Sequence, residues 1–105
     1  MLLNASSFSF DKSYALTDDI TKYREIIFKL QCHWSSSTDI FYVQKTIRPS
    51  LIDFNQQLNI SENTNRATSS NVRIGVKFTA NNAFTTTGEA NTYGCKTISV
   101  IGIPL

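Results

Sequence analysis

Cys32-His33 is the one place where a nucleophile and a base stand side by side in the sequence. A thiolate acts as a nucleophile when an imidazole lies within hydrogen-bond reach of it. Both residues, however, fall in the alternating segment Tyr23 to Trp34, where consecutive side chains leave opposite faces of a strand. The ring therefore cannot meet the sulfur. The chain has one histidine, so neither a triad nor a histidine-based metal site can be assembled. Of the carboxylates, only Asp18 and Asp19 are adjacent. They make at most a weak calcium ligand set, and no second pair stands at a separation suited to general acid–base work. Gly75, Gly88, Gly94 and Gly102 are too dispersed to cradle a phosphate. The expectation is a protein that is not an enzyme and holds no metal and no cofactor.

Composition narrows the class further. Ser, Thr and Asn fill 33 of 105 positions, hydrophobic residues 41% and charged residues 17%, which describes one weakly charged globular domain spanning 1–105. A net charge of +2 cannot raise the broad positive field that phosphate backbones require, so nucleic acid is not the expected partner. Arg66, Arg73 and Lys77 read as a solvated edge rather than an anion site. The longest apolar runs, Ile40 to Val43 and Val100 to Ile103, fall far short of the ~20 residues of a membrane-spanning helix. Met1 to Phe10 carries no basic leader followed by an apolar run, so no intact signal peptide is read there. Cys32 and Cys95 lie 63 positions apart and match no zinc or redox spacing. That leaves one disulfide or two buried thiols. A bridge closing so long a loop would add roughly 4 kcal/mol in the chain-entropy model and would imply an oxidising compartment.

The elements must then position these residues. Ile26, Phe28, Leu30, Cys32 and Trp34 share one face of a strand, with Glu25, Lys29, Gln31 and His33 on the other. Ile40 to Ile47 resumes the pattern, and Asn71 to Thr79 repeats it with Val72, Ile74, Val76 and Phe78 inward. Tyr93 to Ile103 is apolar on both faces, as in a strand covered on both sides. Phe8 and Phe10 share a face across Ser9, and Ser13 to Thr17 forms a short strand. Arg48 to Ile60 fits helix and strand spacing almost equally, and Pro49 with Ser50 and Asp53 favours a helix of two to three turns. Ser61 to Ser70 and Asn81 to Asn91 read as loops. The fold class is all-β: a small antiparallel β-sandwich with at most one short helix, the alternative being a five-stranded OB-like barrel with one helix. In the sandwich both cysteines lie on inward faces, and a bridge between packed sheets follows.

One family resemblance sharpens the register. In Glu89-Ala90-Asn91-Thr92-Tyr93-Gly94-Cys95 a tyrosine stands two places before a cysteine, and Phe41-Tyr42-Val43-Gln44-Lys45 begins nine residues after Cys32. This resembles the immunoglobulin-like sandwich with its tyrosine corner. The resemblance implies Cys32 and Cys95 on opposed sheets, Tyr93 bonded at the corner and Phe41 packed on the bridge. Trp34 stands too close to Cys32 for the usual core tryptophan. Ten residues past Cys95 suffice for one strand, so this register lacks its last strand and leaves an edge to be capped by β-addition. Candidate caps are Leu2 to Phe10 of the same chain, that segment from another copy, or a partner protein. Incomplete sandwiches of this kind resemble subunits of bacterial surface fibres.

Three functions compete. The first is a non-enzymatic, secreted or surface-exposed binding or assembly subunit, adhesive or structural, that recruits a protein partner or its own copies through an open edge. Polar ligands such as glycans would meet Ser35, Ser36, Ser37, Thr38 and Asp39 in one loop and Asn81, Asn82 and Asn91 in another. The second is a glycan-binding subunit of an oligomeric bacterial toxin, resting on the barrel alternative. The third is a virion or phage structural protein.

Overall fold

Alternating side chains make a strand wherever one face has a core to meet, and here that rule accounts for the strands at 23–33, 40–47 and 72–80. The computed structural model describes residues 1–33, 40–63, 72–90 and 94–105, with 33, 61–63, 72–73, 88–90 and 94–95 described by backbone alone. Its strands are β1 (Leu3–Ala5), β2 (Ser13–Ala15), β3 (Tyr23–His33), β4 (Ile40–Ile47), β5 (Gln57–Asn63), β6 (Val72–Ala80), β7 (Ala83–Ala90) and β8 (Gly94–Pro104). They build two antiparallel four-stranded sheets in the orders β1-β8-β3-β4 and β2-β7-β6-β5. The fold is a small all-β sandwich.

Between the sheets lie Ile26, Phe28, Leu30 and Cys32 of β3 and Ile98 and Val100 of β8. Facing them are Ile74, Val76 and Phe78 of β6 with Phe84 of β7, all buried. Phe84 is the hub. Its ring meets Phe28 of the opposite sheet edge-on at 5.4 Å, Phe78 at 5.6 Å and Tyr14 in a stack at 5.6 Å. Such geometry adds about 0.5–1.5 kcal/mol per pair beyond the area removed from water.

One polar group lies among these apolar ones. Thr86 is fully buried and ties the segment before β2 to β7. Its hydroxyl donates to the Ser9 carbonyl at 2.6 Å and accepts the Lys12 N–H at 3.1 Å. Its own N–H donates to Lys12 O at 2.9 Å, and its carbonyl accepts the Asp11 N–H at 2.9 Å. Thr86→Val keeps the shape and removes the hydroxyl, so Lys12 N–H loses its side-chain acceptor. The expected loss is about 1–3 kcal/mol in urea unfolding, with the slope unchanged.

Several sequence expectations need correction. No helix of two to three turns forms in 48–60. A single 3-10 turn, Pro49–Leu51, gives way to a reversal at Asn55, whose left-handed φ of 63° is tolerated by asparagine and whose N–H donates to Phe78 O at 2.8 Å. Strand β5 then begins at Gln57, so the apolar alternation outweighs the helical start signal. Of Asn81 to Asn91, read as a loop, Asn81 and Asn82 turn the chain, Ala83–Ala90 is a strand paired with β6, and Asn91 lies outside the described residues. Of the loop read at Ser61 to Ser70, 61–63 belong to β5 and 64–70 lie outside the described residues. With two separate sheets, and helical turns of three residues only among the described residues, the OB-like barrel is overturned.

The cysteines are also placed differently. Strands β3 and β8 are neighbours in one sheet, and Cys32 and Cys95 are register partners across them. Simple alternation from Ile98 and Val100 would put Cys95 on the opposite face from Cys32. The pairing instead jumps from Gln31–Thr97 to Cys32–Cys95, so Lys96 is an extra, bulged residue. A bridge between the two sheets is therefore excluded. Cys32 is a free, buried thiol in this structure.

The capping strand is found within the chain. β1 pairs with β8 as Leu3–Val100, Asn4–Ser99 and Ala5–Ile98, and the Leu2 N–H donates to Val100 O at 2.7 Å. The last strand is thus flanked by β1 and β3, and the edges of the first sheet are the short β1 and the longer β4.

Candidate functional site

On the outer face of the first sheet, register sets side chains in rows. Thr97 of β8, Gln31 of β3 and Tyr42 of β4 form one row, and Asn4, Ser99, Lys29 and Gln44 the next. Behind them Leu30 and Ile98 are buried, so the backbone carrying these polar groups is held by the core. A depression of about 350 Å³ lies among Lys29, Gln31, Tyr42, Gln44, Thr97 and Ser99. Tyr42 is 74% exposed, an unusual amount of aromatic surface to leave in water.

The β4 border adds a second feature. It pairs with β3 from Ile26–Ile47 to His33–Ile40, and its opposite side has no strand partner among the described residues. On the inward side Phe41 and Val43 are half-buried, whereas their cross-strand neighbours Cys32 and Leu30 are 0% and 1% exposed. Core-facing residues at this border are thus only partly covered. Lys45 follows them at an inward register position yet is exposed, its stem leading the charge out to water. Nearer Ile47, β4 approaches β5, and a groove of about 460 Å³ lies between Lys45, Ile47, Leu58 and Asn59.

A larger groove, about 760 Å³, opens at the far end of the same sheet beside Tyr23, Arg24, Glu25, Arg48 and Leu105. Its charges are mixed, since Glu25 shares the wall with both arginines. Next to it lies an ordered ionic cluster. Lys22 Nζ sits 3.0 Å from Asp18 Oδ1, the Tyr23 hydroxyl donates to Asp18 Oδ2 at 3.0 Å, and the Asp19 N–H donates to Asp18 Oδ1 at 2.8 Å. Asp19 Oδ1 caps the 3-10 turn Ile20–Lys22 by accepting the Thr21 N–H at 2.8 Å. Both carboxylates are thereby occupied by the chain's own donors, and no group of three metal-ligating side chains occurs among the described residues.

The hydrogen bond from Lys22, then the Asp19 N–H, holds Asp18 below the ordinary 3.8. The same carboxylate, by accepting their hydrogen bonds, raises Lys22 above 10.5 and Tyr23 above 10.0. A lowered carboxyl stabilises the fold above its ordinary value and ceases to do so as pH falls through the lowered one. Raised Lys and Tyr groups stabilise below their ordinary values and cease to do so as pH rises through the raised ones. Urea midpoints should therefore fall below pH 3.8 and again above pH 10.0, and Asp18→Asn should flatten both limbs. All these groups are exposed, so both effects are small.

Of the residues singled out from sequence, Trp34, Ser35, Ser36, Ser37, Thr38, Asp39, Asn91 and Tyr93 lie outside the described residues, as does Arg66. Asn81 and Asn82 are at the exposed β6–β7 turn, where their carbonyls accept the Ile20 N–H at 2.9 Å and the Leu16 N–H at 2.7 Å. They anchor the segment between β2 and β3. Phe41, Cys32 and Cys95 share one register row. Gln31, Tyr42, Gln44 and Thr97 were not singled out as a group. The outward parity of Tyr42 on a strand with few charges was the available signal. No family model, curated protein or solved structure matches the chain.

Proposed function

We propose that the protein is a non-enzymatic binding or assembly subunit that works by strand addition at β4. The half-covered Phe41 and Val43 beside fully buried Cys32 and Leu30 carry this reading, because a strand laid against Ile40–Gln44 would complete their cover on the side of β4 that has no strand partner among the described residues. The immunoglobulin-like resemblance contributes only its sandwich architecture, since its opposed-sheet cysteines do not hold. Panning a display library of random extended peptides tests the reading. The expected outcome is enrichment of peptides with alternating apolar residues that slow amide exchange in 40–44. Enriched peptides that protect only other strands, or no enrichment, would overturn it.

The setting is extracellular or on a cell or virion surface. Register partners in antiparallel sheets have Cα atoms about 4.5–5.5 Å apart, inside the span a disulfide needs. In an oxidising compartment Cys32 and Cys95 close as a cross-strand bridge. Protein collected from such a compartment and unfolded without reductant should show no free thiol, and finding two would remove the extracellular setting.

A second reading, glycan recognition, is favoured by the exposed ring of Tyr42 among Gln31, Gln44 and Thr97. An aromatic face suits the C–H side of a sugar, and amides can both donate to and accept from vicinal hydroxyls. It requires a glycan-array signal that Tyr42→Ala abolishes.

A further inference from the structure

We infer that the strand completing the β4 border is β4 of a second copy of this chain, paired about a two-fold axis at Tyr42. The inference rests on strand addition at this border and names the partner.

Directly opposed residues of an antiparallel pair put their side chains on the same face, so a strand pairing with itself about a two-fold axis must centre on a residue. Centred on Tyr42, the pairs are Tyr42 with its own counterpart, Phe41 with Val43, and Ile40 with Gln44. Phe41 and Val43, each half-buried in one copy, then cover one another and extend the core across the axis. Outside, the two Tyr42 rings, 74% exposed in a single copy, meet at the axis, and each Ile40, 40% exposed, lies diagonal to the other copy's ring. Aromatic and β-branched cross-strand pairs are among the favourable ones.

A register centred on Phe41 overlaps β4 only over 40–42, and registers centred beyond Tyr42 are rejected by Lys45. Centred on Val43, Lys45 would lie opposite Phe41 on the inward face, placing an ammonium group against the apolar contact that drives the pairing. Centred on Gln44, it would face Val43. In the Tyr42 register the overlap ends at Gln44, and Lys45 stays in water. An inward-placed lysine on a border strand ordinarily guards against edge pairing, and here it leaves one five-residue window unguarded. The net charge of +2 per chain sets up little repulsion between copies. Five residues a side bury less than the ~1,200 Å² of a stable interface, so the dimer is weak and forms at high concentration or when copies are held together on a surface.

Sedimentation velocity over a concentration series tests this, with variants at a residue exposed enough not to disturb the fold. Wild type should shift from monomer toward dimer as concentration rises. Tyr42→Lys alone and Tyr42→Glu alone should each stay monomeric, because like charges face across the axis, and an equimolar mixture of the two should recover the dimer. Under mild oxidation Tyr42→Cys should form a covalent dimer faster than Val43→Cys, whose counterpart is Phe41. A wild type that stays monomeric at the highest concentration, a dimer indifferent to Tyr42→Lys, or equal cross-linking of the two cysteine variants would overturn the self-pairing. The peptide panning judges strand addition separately: peptides that protect 40–44 in a monomeric protein would leave the border a binding edge while removing the second copy.

Discussion

Replacing Phe84 by alanine is expected to lower stability by about 3–5 kcal/mol. The ring is fully buried and touches Phe28, Phe78 and Tyr14, so its removal empties the one point where both sheets and the β2 border meet. A domain of this size has about 5–15 kcal/mol in total, so the loss takes about a fifth of it or more and should bring the thermal midpoint down by roughly 12–40 °C. Phe84→Leu keeps most of the volume and should show a fraction of that change. Circular dichroism melts of the two variants check the claim, and equal, small shifts would mean that the aromatic hub does not hold the sheets together.

Removal of residues 1–10 should be at least as damaging, and for reasons of folding rather than of assembly alone. Leu2 is 1% exposed and belongs to the core, and its carbonyl accepts the Thr17 N–H at 2.9 Å. β1 supplies partners for Ile98 to Val100 of β8, and Phe8 and Phe10, whose rings meet edge-on at 5.1 Å, both pack against the same core. Loss of Leu2 alone falls in the 2–5 kcal/mol range of buried leucine truncations, and the exposed flank of β8 adds unpaired backbone. The truncated chain should lose its cooperative unfolding transition and aggregate. A soluble, truncated protein melting at the temperature of the full chain would contradict the role given to β1.

Where the sequence was legible, one face of a strand met the core and the other met water. β3, β4 and β6 follow that rule, and Ile26, Phe28, Leu30, Ile74, Val76 and Phe78 are buried as their alternation predicts. β7 hides its pattern because the inward residue after Phe84 is Thr86, a polar group whose buried bonds no periodicity reveals, while Thr85 and Thr87 read as loop. The cysteine geometry was illegible for a different reason. A single bulged residue, Lys96, resets the parity of β8, and bulges leave no mark in an alternation count. The candidate site depended on which strand ended up at the border, and strand order is a property of tertiary pairing. Tyr42 was visible as an outward aromatic, but its row with Gln31 and Thr97 exists only once β8, β3 and β4 lie side by side.

β1 joins β8 and β2 joins β7, with Leu3 opposite Val100, 97 positions later, and Tyr14 opposite Phe84, 70 positions later. Segments so far apart in sequence must be brought together before any of their interactions can form, which makes the search slow compared with hairpin closure. During synthesis the opening strands emerge long before their mates, and β3 also waits for β8 with one whole side unmatched. The nascent chain thus passes through a period with sticky, half-built sheets, and its yield in a cell should depend on chaperone supply more than its final stability would suggest.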